Sequence, residues 1–130
     1  MANKKVLVVD DEIHIVHVVA IKLRNNSYDV ISAENGAQAF QLVQEEKPDI
    51  VVTDFQMPVM NGVELIEKLR QDKSTETIPV ILLTARGFAV TDEQMEHLRV
   101  SAVLSKPFSP KELLRSIEDI LYQKVMVVST

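Results

Sequence analysis

The run Ile50-Val51-Val52 consists only of β-branched residues, shows no polar alternation, and is bounded by Pro48 before it and by Pro58, Asn61 and Gly62 after it. Alternation marks a strand with one wet face. Its absence in so short a run predicts a strand buried on both faces, as in a parallel sheet covered by helices on either side. Asp54 stands where this strand ends. Ligands of open parallel α/β sheets bind outside the carboxyl ends of the strands, so a carboxylate there is placed for chemistry. An acid that merely begins a turn would look the same in isolation.

The remainder of the chain repeats the pattern, with strand-like and helix-like stretches alternating from end to end. This predicts an α/β fold of βα units around a parallel sheet rather than a bundle or a sandwich. The predicted strands are Lys5 to Val9, Asp29 to Ala33, Ile50 to Val52, Ile78 to Leu83 and Val100 to Leu104. Between them, helices are predicted from Glu12 to about Asn26, Gly36 to Glu46, Val63 to Gln71, from Thr91, and from Ser109 to about Gln123. Apolar spacing turns Ile15, Val19 and Leu23, then Ala39, Phe40 and Val43, then Leu65, Ile66 and Leu69, toward the sheet. In the last helix the stripe is Leu113, Ile117, Ile120 and Leu121. Acids are expected on the first turn of the first helix, and Glu64 with Lys68 as an outward i, i+4 pair. Thr91 with Gln94 reads as a capping box, and Ser109-Pro110-Lys111-Glu112 as a helix start.

A chain of 130 residues, 46% hydrophobic, fits one domain with a sizeable core. It reads as a domain over 1–123 followed by a tail over 124–130. The absence of Cys excludes a disulfide scaffold and thiolate metal sites. With no secretory leader at the start, this points to a reducing cytoplasm. No stretch has the apolar length needed to span a bilayer. A net charge of -5, with 14 scattered Lys and Arg, argues against direct nucleic-acid binding, so any effect on transcription would pass through another protein. Gly36, Gly62 and Gly87 form neither a P-loop nor a dinucleotide-binding turn.

Four predicted strand ends carry polar residues: Asp10 and Asp11, Asp54, Thr84, and Lys106. In a parallel sheet these ends share one edge, so residues far apart in sequence converge. Carboxylates about 4–6 Å apart repel by roughly 1 kcal/mol per pair in water and about 4 at an intermediate dielectric, which calls for a hard cation. Mg²⁺ suits an all-oxygen set that leaves room for a phosphate. Three carboxylates balanced by Mg²⁺ and Lys106 form a neutral site. An Asp carboxylate is a competent nucleophile toward phosphorus, with Lys106 and the Thr84 hydroxyl available for the equatorial oxygens. Each residue alone has a plainer reading as a helix cap, a solvated charge or a strand-end hydroxyl. It is their joint placement at matching strand ends that points to a site.

The set Val-Val-Asp10-Asp11-Glu, Asp54-x-x-Met57-Pro58-x-Met-Asn-Gly62, Leu-Leu-Thr84-Ala85 and Ser-Lys106-Pro107-Phe108 resembles the receiver domain of two-component response regulators, over residues 4 to about 123. The resemblance implies a doubly wound, flavodoxin-like (βα)5 fold with strand order 2-1-3-4-5. It implies that Asp54 is the phosphoacceptor, phosphorylated from a phosphohistidine on a sensor histidine kinase or phosphotransfer protein. Asp11, Asp54 and the backbone carbonyl of Gln56 would ligate Mg²⁺, with Asp10 acting largely through water. Thr84 and Lys106 would contact the phosphoryl oxygens, and Pro107 would follow a cis peptide bond. Such a protein is a signalling phosphoacceptor that catalyses only its own phosphorylation and dephosphorylation, and signals to a downstream protein or relays phosphate onward.

One position departs from the family pattern. Receivers usually carry Tyr or Phe three residues before the lysine, an aromatic that turns inward as the threonine moves toward phosphate. Here that switch position, paired with Thr84, holds Val103. The expectation is intact phosphorylation chemistry with an unusual or weakened signal on the face of the fourth helix, fifth strand and fifth helix. Gln56 and Arg86, each two residues beyond Asp54 or Thr84, would flank the pocket and influence the loss of phosphate. On the first helix, Ile13 and Ile21 lie outside the sheet-facing stripe and offer a docking patch for a kinase or phosphotransfer helix. His14 and His17 read as a solvated pair rather than a metal site. Two alternatives stay open. A phosphatase of the haloacid dehalogenase type also uses an aspartyl-phosphate, but expects Asp-x-Asp after the first strand. A pseudo-receiver would keep the fold without taking phosphate, against which the retained acids, Thr84 and Lys106 argue.

Overall fold

The computed structural model describes residues 3–85 and 91–122. Arg86 and the tail 124–130 lie outside the described residues. Among those described, five parallel strands form one sheet in the order β2-β1-β3-β4-β5: β1 (Lys5–Val9), β2 (Asp29–Ala33), β3 (Ile50–Asp54), β4 (Val80–Thr84) and β5 (Ala102–Ser105). The helices are α1 (Ile13–Arg24), α2 (Gly36–Glu46), α3 (Gly62–Gln71), α4 (Asp92–Leu98) and α5 (Pro110–Tyr122).

Unalternated strands bury both faces, and two apolar cores result. Val6, Val8, Ile50, Val52, Ile81 and Leu83 meet Val19 and Leu23 of α1 and Leu113 and Ile117 of α5. Leu7, Val9, Val51, Val80 and Leu82 meet residues of α2 and α3, with Leu98 of α4. Adjacent strand residues thus serve opposite cores, as the twofold strand period requires. Phe40, Ile120 and Leu121, predicted to face inward, are partly buried against these cores, and Leu114 joins the buried stripe of α5.

Several local expectations need correction. β5 begins at Ala102 rather than Val100, because Arg99 takes a left-handed φ of 55° and ends α4, and the chain enters the sheet only after Ser101 bonds to the Val80 carbonyl. Ile78 and Pro79 precede β4, consistent with the missing donor of proline. β3 runs two residues past its apolar run, through Thr53, and ends on Asp54 as expected. The first turn of α1 holds no acid; Glu12 is its N-cap, and the helix ends at Arg24. Glu64 and Lys68 do not pair. Glu64 accepts from the Asn61 backbone N–H at 3.0 Å in a capping box, and the Lys68 ammonium sits 5.5 Å from the centre of the Phe40 ring. The capping box of Thr91 and Gln94 forms as expected, and at α5 the Ser109 hydroxyl accepts from the Glu112 N–H at 3.0 Å. Arg70 fixes α4 from below: its guanidinium donates to the carbonyls of Leu98 at 2.9 Å and Ile78 at 2.8 Å.

Candidate functional site

Register decides which strand ends meet. Val9 pairs with Thr53, Asp54 with Leu83, and Thr84 with Ser105. Asp10, Asp54, Thr84 and Lys106 therefore each occupy the last position of a strand or the one after it, on a single edge of the sheet. The loop that follows β3 is folded back tightly. Gly62 opens α3 and donates to the Phe55 carbonyl at 2.9 Å, and a Cβ at Gly62 would collide with the Asp54 carbonyl oxygen. Glycine in the Met-Asn-Gly motif is thus what lets α3 start against the backbone of the central aspartate.

The Lys106 ammonium donates to Asp10 Oδ2 at 2.9 Å and to Glu12 Oε1 at 3.0 Å, and lies 3.5 Å from Asp54 Oδ1. Asp54 Oδ1 also accepts the Phe55 N–H at 3.0 Å. Asp10 Oδ1 accepts the Glu12 N–H at 2.9 Å, which ties the acid pair to the start of α1. Asp10, Asp54 and Thr84 are buried, while Asp11 is exposed at the rim. The Lys106–Pro107 peptide bond is cis.

Burial pushes the Asp54 carboxyl up to about 6 and the neighbouring charge of Asp10 adds to this, against opposing contributions from Lys106 and the Phe55 N–H. Burial would lower the Lys106 ammonium, but its hydrogen bonds to Asp10 and Glu12 and the charges of Asp10 and Asp54 outweigh it and hold it above the usual lysine value. One ammonium therefore serves three acids, and Asp54 is the one left short of positive charge.

Carboxylate oxygens of Asp10, Asp11 and Asp54 lie within 4.8 Å of one another. An all-oxygen set of this kind, two members buried and served by a single ammonium, fits Mg²⁺. The Thr84 hydroxyl is buried and has no hydrogen-bond partner among the described residues. Buried hydroxyls are rarely left so, and one at the strand end beside Asp54 has an unused donor for an incoming oxygen.

The structure thus brings together Asp10, Asp11, Asp54, Thr84 and Lys106. Gln56 lies exposed in the loop two residues beyond Asp54. Val103 is half-buried on β5, paired in register with Leu82 and packed on the core that contains Leu98. Ile13 and Ile21 are 70% and 57% exposed, and Val18 joins them at 51%. His14 and His17 are exposed and belong to no cluster of potential metal ligands among the described residues. Sequence reasoning missed Glu12 as a partner of Lys106. Its position directly after the acid pair was the available signal, but it reads equally as a helix-start acid. The hydroxyl of Thr53, buried and donating to the Asp54 carbonyl at 3.0 Å, was also missed.

Comparison with known proteins agrees with this geometry. Residues 6–118 match the family model of the response regulator receiver domain. The phosphate regulon transcriptional regulatory protein PhoB of Pseudomonas aeruginosa is 37% identical over 123 residues, covering 93% of this chain and 53% of the relative. The alkaline phosphatase synthesis transcriptional regulatory protein PhoP of Bacillus subtilis is 38% identical over 124 residues, covering 92% and 49%. The chain spans about half the length of these curated relatives. Among solved structures, the chemotaxis response regulator CheY4 of Vibrio cholerae superposes with a TM-score of 0.84 at 30% identity, covering 92% of this chain and 99% of that one. A response regulator structure from Chloroflexus aurantiacus gives a TM-score of 0.85 at 30% identity, covering 92% and 98%. With the fold, the strand order and the sequence in agreement, the chain belongs to the response regulator receiver domain family.

Proposed function

We propose that Asp54 is the phosphoacceptor of a two-component pathway and takes its phosphoryl group from a phosphohistidine on a sensor histidine kinase or phosphotransfer protein. An Asp54 carboxylate oxygen bonds to phosphorus, the P–N bond breaks, and the imidazole nitrogen leaves with the bonding pair. Asp11, Asp54 and the Gln56 carbonyl are the residues that would hold Mg²⁺, with Asp10 acting largely through water; when bound, the ion supplies positive charge to the phosphoryl oxygens. Lys106 moves its ammonium onto one phosphoryl oxygen, and Thr84 donates its hydroxyl to another. The observation that carries this reading is the pairing of a buried hydroxyl that has no partner among the described residues, Thr84, with a buried carboxyl pushed up to about 6, Asp54, at adjoining strand ends.

The exposed aliphatics of α1, beside the acidic edge, are the docking face for the helix that carries the phosphohistidine. Phosphorylation changes binding to a downstream protein or passes phosphate onward, in the cytoplasm, without direct contact to nucleic acid or membrane. Turnover of an external phosphoester forms no part of this activity. Intact-mass measurement after incubation with Mg²⁺ and phosphoramidate tests the reading. Wild type should gain one phosphoryl group and Asp54→Asn none; no gain in the wild type would leave a binding module that works without phosphate.

A further inference from the structure

The Lys106 ammonium is nearer to Asp10 and Glu12, at 2.9 and 3.0 Å, than to Asp54, at 3.5 Å. Both short contacts draw it toward the start of α1, away from the carboxylate that would carry phosphate. Asp10 belongs to the trio of acids suited to a cation, and a cation there would compete for its charge and loosen its hold on the ammonium. Glu12 stands outside that trio and would keep its hold. Although Glu12 is the N-cap of α1, its side chain makes no capping hydrogen bond, so its carboxylate is not held by the helix backbone. Among the described residues its carboxylate meets the Lys106 ammonium and, at 3.9 Å, His14 Nε2.

We propose that Glu12 is a positioning residue that restrains Lys106 in the unphosphorylated protein, so that the ammonium must leave Glu12 to reach a phosphoryl oxygen on Asp54. The proposal rests on the phosphoacceptor reading above. When an Asp54 oxygen bonds to the phosphorus of phosphoramidate, the P–N bond breaks, and ammonia leaves with the bonding pair and a proton from solvent. The site gains one negative charge. Glu12 opposes this change twice, by competing for the ammonium and by repelling the new charge. Glu12→Gln keeps the side-chain length, removes the repelling charge and leaves only a neutral acceptor to compete for the ammonium.

The test compares wild type, Glu12→Gln, Lys106→Ala and the double variant in phosphorylation by phosphoramidate with Mg²⁺ at pH 8. Glu12→Gln should react about two- to fivefold faster, the scale of a half-exposed ion pair. In the Lys106→Ala background the same change should alter the rate by less than about twofold, because the two residues act as one unit. Calorimetry on the unphosphorylated protein should show the Mg²⁺ dissociation constant moving less than about threefold in Glu12→Gln, the reach of a screened neighbouring charge. A Glu12→Gln rate equal to or below that of the wild type, or an acceleration that persists without Lys106, overturns the proposal alone. A wild type that takes no phosphoryl group at all overturns the phosphoacceptor reading, and this proposal with it.

Discussion

Lys106 Nζ lies 2.9 Å from Asp10 Oδ2 across 96 positions of sequence, and this contact joins the first strand end to the last. It also leaves Asp54, whose nearer oxygen is 3.5 Å from the same ammonium, incompletely neutralised.

The raised Asp54 carboxyl makes apo-protein stability depend on pH. The ordinary value is 3.8 and the folded value about 6, so the native state binds more protons than the unfolded state between them. Its contribution is most favourable below about 4 and is lost as pH rises through about 6. A difference of about two pH units bounds the penalty at about 3 kcal/mol. Asp54→Asn should therefore stabilise the metal-free protein by about 1–3 kcal/mol at pH 7.5, with the gain gone at pH 4, as read by urea unfolding at both. Saturating Mg²⁺ should stabilise the wild type but not the variant to the same degree.

Thr84→Val separates stability from chemistry. Among the described residues the buried hydroxyl has no partner, so an isosteric apolar group costs nothing and can gain about 1 kcal/mol. The phosphorylated form, by contrast, should lose a hydrogen bond. The expected outcome is an unchanged or higher urea midpoint together with a smaller spread of amide shift changes on phosphorylation.

Gly62→Ala places a Cβ against the Asp54 carbonyl oxygen. Relief requires either α3 or the end of β3 to shift, at about 1–3 kcal/mol for overpacking. Both unfolding free energy and the phosphorylation rate should fall, whereas an alanine at exposed Gln71, on the last turn of the same helix, should leave both within error.

Val103 carries no ring to reorient and is packed on the core with Leu82 and Leu98. Val103→Tyr should phosphorylate at the wild-type rate, because the residue touches none of the reacting groups. Its phosphorylation-induced amide shifts on α4, β5 and α5 should exceed those of the wild type. Equal or larger shifts in the wild type would show that the face switches without an aromatic.

The sheet and its functional edge were legible in the sequence because buried parallel strands leave an apolar run with nothing polar inside it. The polar residues that end β1, β3 and β4 are therefore conspicuous, and parallel pairing alone brings them to one edge. Val100 and Ser101 could not be separated from β5 by composition, since the left-handed turn at Arg99 is set by tertiary contact rather than by glycine. Glu64 and Lys68 had the right spacing to pair, but Asn61 and Phe40 offered better partners that spacing does not reveal. Arg70 shows the same limit. Its bonds go to backbone carbonyls, which carry no residue-type signature. Glu12 was hidden for a related reason, because an acid at a helix start has an adequate local explanation and its partner is 94 residues away.

Where the phosphoryl group goes decides whether Asp54 is the phosphoacceptor. Wild-type protein treated with Mg²⁺ and phosphoramidate, reduced with borohydride and digested, should yield a peptide in which position 54 has become homoserine, the product of a reduced aspartyl phosphate. Homoserine at position 10 or 11, or an unmodified residue 54 in protein that has gained a phosphoryl group, would contradict the account.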